Sequence, residues 1–374
     1  MARAPAAVDI EAPPEADRLE GFPHPRETKL VFGHAAAERD LLQAFASQRL
    51  HHAWLVSGRE GIGKATLAYA FARFLLASPQ DRDASGERLD VAETSTAARQ
   101  VRALSHPGLL AIRRPWDHRT KRHGAFIPVD EVRRLRSFLG HTTDEGAWRA
   151  VIVDSLDELN ANAANALLKS LEEPPPRTVF LLVTSEPGRL LPTIRSRCRL
   201  LELSPLSDAD LLLAATAARR AAGSSDAEAP LPDQLVSLAA GSVRRLLVLS
   251  GGDGPKLYDR IERIIAALPD VDWGAAHMLA DDLASPAADQ RFEIFFDLLL
   301  GALARAIHAK AAQRDSGEGP SMRLQQLVGE ARLPAWAELW EAIVSEKADV
   351  VALNLDRRAF VLSTISRLSE VARR

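Results

Sequence analysis

GREGIGKA, residues 58–65, has the G-x-x-x-x-G-K spacing of a phosphate-binding loop. The apolar run AWLVS (53–57) precedes it and reads as a buried strand; KATLAYAFARFLL (64–76) follows with the pattern of a helix. A loop between strand and helix is the context such a site needs. Glycines let backbone N–H groups approach phosphates, and the helix N-terminus adds partial positive charge. Gly58, Gly61 and Gly63 would form the cradle, and Lys64 would reach the outer phosphates. The next position departs from the pattern. A working loop carries Ser or Thr there, whose hydroxyl holds Mg²⁺, and this chain has Ala65. Thr66 lies one residue on, but ~100° of rotation per helical residue turns its hydroxyl elsewhere.

Outward from the loop, strand and helix patterns alternate from about residue 30 to 203. AERDLLQAFASQ (37–48), VDEVRRLRSFL (129–139) and NANAANALLKSLEE (160–173) have helical spacing, the last stopped by Pro174, Pro175 and Pro176. LLAIRR (109–114), WRAVIVD (148–154), TVFLLVT (178–184) and CRLLEL (198–203) read as strands. Apolar strands alternating with helices predict a parallel sheet covered on both faces. After Pro205 only helices follow: SDADLLLAATAARR (207–220), LPDQLVSLAA (231–240), SVRRLLVLS (242–250) and the stretch beyond 256, with loops at 223–230, 251–255 and 313–321. The expected layout is an α/β core over 30–203, a small helical domain over 204–255 and a helical C-terminal domain over 256–374.

An ATPase needs acids at the end of a second strand. AVIVDSLDE (150–158) supplies Asp154, which can support Mg²⁺ directly or through water. The following position, where a Glu would activate water, is Ser155, and a positioned general base is worth ~10²–10⁴ in rate. Asp157 and Glu158 read as surface acids near a helix start. Thr184 ends the third strand, where a hydroxyl can sense a γ-phosphate or simply close the strand. Arg197, in SRC (196–198), is either a solvated loop charge or a finger offered to a neighbour's ATP, a device worth ~10³–10⁵ in rate. The groups serving binding are intact and two serving hydrolysis are changed.

The 374 residues, 47% hydrophobic and 26% charged, can bury two or three cores. A net charge of −3 argues against a chain that coats nucleic acid by itself. One cysteine, Cys198, excludes a disulfide framework and a multi-thiolate zinc site within the chain, and it reads as a small buried residue. His51 and His52 read as packing or loop residues. No apolar run reaches the ~18–20 residues of a membrane span. Residues 1–29, rich in Ala, Pro and acids, read as a mobile tail without a signal core, so a cytoplasmic protein is expected.

HHAWLVSGREGIGKATLAYAFARFLL, NAANALLKSLEEPP and TIRSRCRLLEL together resemble the AAA+ subunits of bacterial DNA polymerase III clamp loaders, and among them the delta-prime family. The resemblance covers roughly residues 30–250. It implies an AAA+ P-loop core, a helical lid (204–255) and an all-α collar (256–374) through which subunits associate. It implies a hetero-oligomer with gamma/tau motor subunits and the delta subunit, acting on the sliding clamp and primed DNA. In that setting the chain is a non-hydrolysing stator giving Arg197 to an adjacent motor subunit. Arg244, in GSVRR, falls at the family's second sensor position, with Arg245 beside it as a rival. ATP or ADP would be bound without hydrolysis. The cysteines of the family's zinc module are missing, so no zinc is expected; RRPWDHRTKRHG (113–124) occupies that region and reads as a solvated loop or as a contact to DNA or a partner. Two other readings stay open: an active AAA+ motor that recruits Asp157 or Glu158, and a stand-alone DNA-binding helical protein with a fossil nucleotide fold.

Overall fold

The computed structural model describes residues 14–140, 146–285, 288–313 and 320–373. They form two compact units: the described residues up to 229 together with 241–244, and residues 230–240 together with the described residues from 245 on.

The first unit is built on a five-stranded parallel sheet. In chain order its elements are α1 (Ala35–Ala46), β1 (Ala53–Ser57), α2 (Lys64–Leu76), α3 (Thr96–Arg102), β2 (Leu109–Ile112), β3 (Trp116–Asp117), β4 (Arg122–His123), α4 (Val129–Gly140), β5 (Arg149–Asp154), α5 (Ala161–Glu172), β6 (Thr178–Thr184), α6 (Pro192–Arg195), β7 (Arg199–Glu202) and α7 (Asp208–Ala221). The main sheet runs β2-β5-β6-β1-β7. β1 lies between β6 and β7, and every pair in this sheet is parallel, as the alternation of apolar strands with helices leads one to expect. β1 and β6 are buried along their whole length, as their unbroken apolar runs require. Leu55, Ile112, Val151, Val153, Phe180 and Leu182 form the centre of the core with Leu167 and Leu171 of α5. Each such side chain contributes roughly 1.5–3 kcal/mol of burial.

Register places the chemistry. Ser57 pairs with Thr184, and Asp154 pairs with Val183, so β1, β5 and β6 end along one edge of the sheet. The glycine loop leaves β1 at that edge and opens α2. α5 starts behind an Asn160 cap, whose side chain accepts from Ala163 N at 2.8 Å, and ends ahead of the three prolines.

Residues 14–29 depart from the expected mobile tail; residues 1–13 lie outside those described. His24 is fully buried, with Nε2 2.7 Å from Asp17 and its ring set edge-on to Tyr69. Arg26 and Arg113 both reach Glu15, at 2.7 and 2.6 Å, and Arg113 also reaches Asp17 at 3.2 Å. The anchors are Tyr69 of α2 and Arg113, just after β2, far along the chain, so local composition carries no sign of them.

The second unit is helical: α8 (Asp233–Ala239), most of α9 (Val243–Ser250), α10 (Gly254–Ala267), α11 (Trp273–Ala284), α12 (Asp289–Ala311), α13 (Pro320–Ala352, interrupted at Gly329) and α14 (Arg357–Arg373). The apolar run 292–307 is buried within the unit. Phe292, Phe295 and Phe296 are buried, and Phe360 of α14 stacks on Phe296 at 4.8 Å.

Candidate functional site

The glycine loop takes the backbone shape its sequence demands. Gly58 has φ 145°, and a Cβ there would lie 2.6 Å from the Leu203 carbonyl oxygen. Gly61 has φ 75°, and a Cβ would meet Ser242 Oγ at 2.4 Å and Arg244 Cβ at 2.5 Å. Only glycine satisfies both the left-handed conformation and the close approach. Gly63, also at positive φ, stands directly before α2.

Lys64 is buried, and its ammonium is satisfied by its own chain. Nζ donates to the carbonyls of Gly58 (2.8 Å) and Arg59 (2.6 Å) and to Ser185 Oγ (2.9 Å). Burial lowers its pKa, and the acids Asp154, Glu60 and Asp157 oppose that shift. Ala65 and Thr66 are half-buried in the first turn of α2. The residues present therefore suit a phosphate group, provided Lys64 exchanges protein acceptors for it. They do not suit Mg²⁺, since Ala65 has no hydroxyl to offer.

Asp154 ends β5 and is buried. Its carboxyl is pushed up to about 7, chiefly by burial and then by the nearby charge of Asp17, with Lys64 pulling the other way. Ser155 follows, half-buried, and supplies no carboxylate for activating water. Asp157 is not the surface acid its sequence context suggests. Thr184, fully buried, donates from Oγ1 to Asp157 Oδ1 at 2.7 Å, and Ser185 N donates to the same oxygen at 3.2 Å. Glu158 is likewise half-buried and pairs with Arg114 at 2.8 Å. Both corrections have one cause: the ends of β6 and β2 come alongside the turn after β5.

Arg244 lies at the loop. Its Nε is 3.4 Å from Glu60 Oε1, its backbone N donates to Gly61 O at 3.3 Å, and Ser242 Oγ donates to Glu60 O at 2.9 Å. Arg245 is engaged instead with the Asp297 carbonyl of α12 at 2.9 Å, so of the two rivals Arg244 is the one at the glycine loop. Arg197 stands apart from these groups, partly exposed just before β7. Its Nη1 donates to Thr193 O at 2.9 Å and its Nη2 to Glu172 Oε1 at 2.7 Å. Cys198 packs on the core, and burial raises its thiol to about 11, so it is no nucleophile at neutral pH.

Residues 113–124 are more than a solvated loop. Arg113 and Arg114 are engaged inward by Glu15, Asp17 and Glu158, and β3 pairs with β4 so that Trp116 faces His123. His118, Arg119, Lys121 and Arg122 are exposed. Among the described residues no group of three or more His, Cys, Asp or Glu is placed to hold a metal.

Two further members of the site were not singled out from sequence. Ser185 links Lys64 to the end of β6. His34, buried, donates from Nε2 to the Ile62 carbonyl at 2.7 Å, and burial lowers its pKa, so it buttresses the loop as a neutral ring. Glycine before a histidine ahead of α1 is too short a signal to reveal that contact.

Comparison with known proteins adds an independent line. The family described as DNA polymerase III, delta subunit, matches residues 33–207. The chain is 31% identical over 303 residues to the DNA polymerase III subunit delta' of Escherichia coli (strain K12), a match spanning 78% of this chain and 84% of that protein. It is 38% identical over 202 residues to the subunit delta' of Pseudomonas aeruginosa, spanning 54% and 53% of the two chains. The DNA polymerase III subunit gamma of Buchnera aphidicola is 29% identical over 191 residues, spanning 50% and 47%.

Proposed function

The chain belongs to the delta' family of DNA polymerase III subunits, and from that membership we propose that it is the non-hydrolysing stator of a clamp-loader complex. In this reading it assembles with gamma/tau motor subunits and a delta subunit in the cytoplasm, and the assembly places a sliding clamp on primed DNA. Residues 204–255 serve as the lid and 256–374 as the collar through which subunits associate. Its own site holds ATP or ADP, where it binds them, without turnover, and it binds no zinc. Its contribution to chemistry is Arg197, offered to the ATP of an adjacent motor subunit.

One contrast carries the reading. The chain's own loop lacks the Mg²⁺-binding hydroxyl at Ala65 and the base at Ser155, and its lysine is engaged by three protein oxygens. Arg197, by contrast, stands at the surface with a held guanidinium. Gly58, Gly61, Gly63, Lys64, Asp154, Thr184 and Arg244 would line a bound nucleotide, with Mg²⁺ the component they serve poorly. The alternative, an active motor, draws support from the intact Lys64 and Asp154. It lacks a base: Asp157 is held by Thr184 and Ser185, and Glu158 by Arg114.

The test is ATP turnover by the reconstituted assembly of this chain, its motor and delta partners, clamp and primed DNA. The chain alone is expected to be silent. Arg197→Ala is expected to slow hydrolysis at the motor site it faces by ~10³ or more, the usual worth of such a finger, and so to remove that site's share of assembly turnover. Hydrolysis by the chain alone, or no effect of the substitution, overturns the proposal.

A further inference from the structure

We propose that Glu172 is the positioning residue for Arg197, holding the guanidinium in the orientation in which it meets a neighbour's phosphate. The inference rests on the reading of Arg197 as a finger and adds the group that aims it.

The local chemistry gives Glu172 no helical reason to be acidic. It is the last residue of α5, Glu173 caps that helix, and prolines follow. Carboxylates at a helix C-terminus face the negative end of the helix dipole, where a cation is preferred. The cation is Arg197, 25 positions on in sequence and 2.7 Å away in space. The pair is partly exposed, with side chains 36% and 49% accessible, so it contributes little to stability. What it does determine is where the guanidinium points.

The backbone and one terminal nitrogen of Arg197 are held by other contacts. Its backbone N donates to Ile194 O at 3.1 Å, and Cys198 N donates to Arg195 O at 3.3 Å. The Cys198 side chain sits against the core, which pins the backbone on the far side. Nη1 is fixed by the Thr193 carbonyl. Glu172 closes the set by taking Nη2, and the remaining N–H edge is left for an incoming phosphate oxygen. The surrounding surface suits an incoming subunit, since Leu191 and Leu200 are both exposed on the same segment, at 39% and 56%.

The experiment is a double-mutant cycle on turnover by the reconstituted assembly, with kcat and KM measured separately. Glu172→Ala is expected to lower kcat at the motor site facing Arg197 by about 10- to 100-fold with KM unchanged, the scale of a misplaced catalytic group. Glu172→Gln, which keeps an acceptor at the same reach, recovers most of that loss, and Glu172→Lys, which repels the guanidinium, loses more than Ala. In an Arg197→Ala background Glu172→Ala has no further effect, because its only route to the reaction is gone. Melting of the isolated variants within about 2 °C of wild type excludes a folding defect. The proposal is overturned if Glu172→Ala turns over like wild type, if its effect persists without Arg197, or if KM rather than kcat changes. If Arg197→Ala alone leaves turnover unchanged, the finger reading itself has failed, an outcome separate from a silent Glu172 beside an essential Arg197.

Discussion

Replacing Lys64 by Met should unfold this chain more readily while leaving assembly turnover intact, the reverse of what the same change does to a working ATPase. The ammonium donates to two loop carbonyls and one hydroxyl at 2.6–2.9 Å. Hydrogen bonds to a charged group are worth about 1.5–3 kcal/mol each. Three of them are offset by the desolvation of a buried ammonium and by water reaching the partly buried Arg59 carbonyl once Lys64 is gone, which leaves a net loss of about 3 kcal/mol. For a unit of this size that is roughly 6–12 °C in melting temperature. The loss should grow with pH. Burial holds the Asp154 carboxyl at about 7 against an ordinary 3.8, and Lys64 is the cation restraining that rise. A carboxyl whose pKa is raised on folding costs stability as pH climbs from its unfolded to its folded value. Without Lys64 the folded pKa rises further, so the variant should lose more at pH 8 than at pH 6. The assay is thermal or urea unfolding of the isolated chain at both pH values, with turnover of the reconstituted assembly in parallel. A variant that melts with wild type at pH 8 while assembly turnover collapses would refute the argument, because Lys64 would then serve hydrolysis and not the stability of its own loop.

Asp154→Asn tests the same linkage from the other side: it should stabilise the isolated chain above pH 7, with the gain shrinking as pH falls toward 4, and a pH-independent difference would rule out a raised carboxyl. Asp17→Ala removes the partner of both His24 and Arg113, so melting should drop by several degrees, about 1–3 kcal/mol for stranded buried polar groups; a neutral result would mean that residues 14–29 are not anchored.

Much of the fold was legible along the chain because it is written in local periodicity. Unbroken apolar runs such as TVFLLVT can be buried on both faces only in a covered parallel sheet, and three successive prolines after Glu173 cannot continue a helix. The glycine loop, Ala65 and Ser155 were equally legible, since the chemistry of a missing hydroxyl or carboxylate needs no coordinates. Tertiary structure decided what the remaining polar groups do. Asp157 became a partner of Thr184, and Glu158 of Arg114, because strands distant in sequence end side by side. Residues 14–29 became an anchored segment because Arg113 and Tyr69 wait for them on other elements. Arg197 stood out in its own stretch, but its partner Glu172 did not, and the two met because α5 and the turn before β7 end together. Hydrophobic pattern is a property of neighbouring residues and survives in one dimension; hydrogen bonds and ion pairs are set by which chain ends the packed sheet brings within 3 Å, and only the folded chain specifies those.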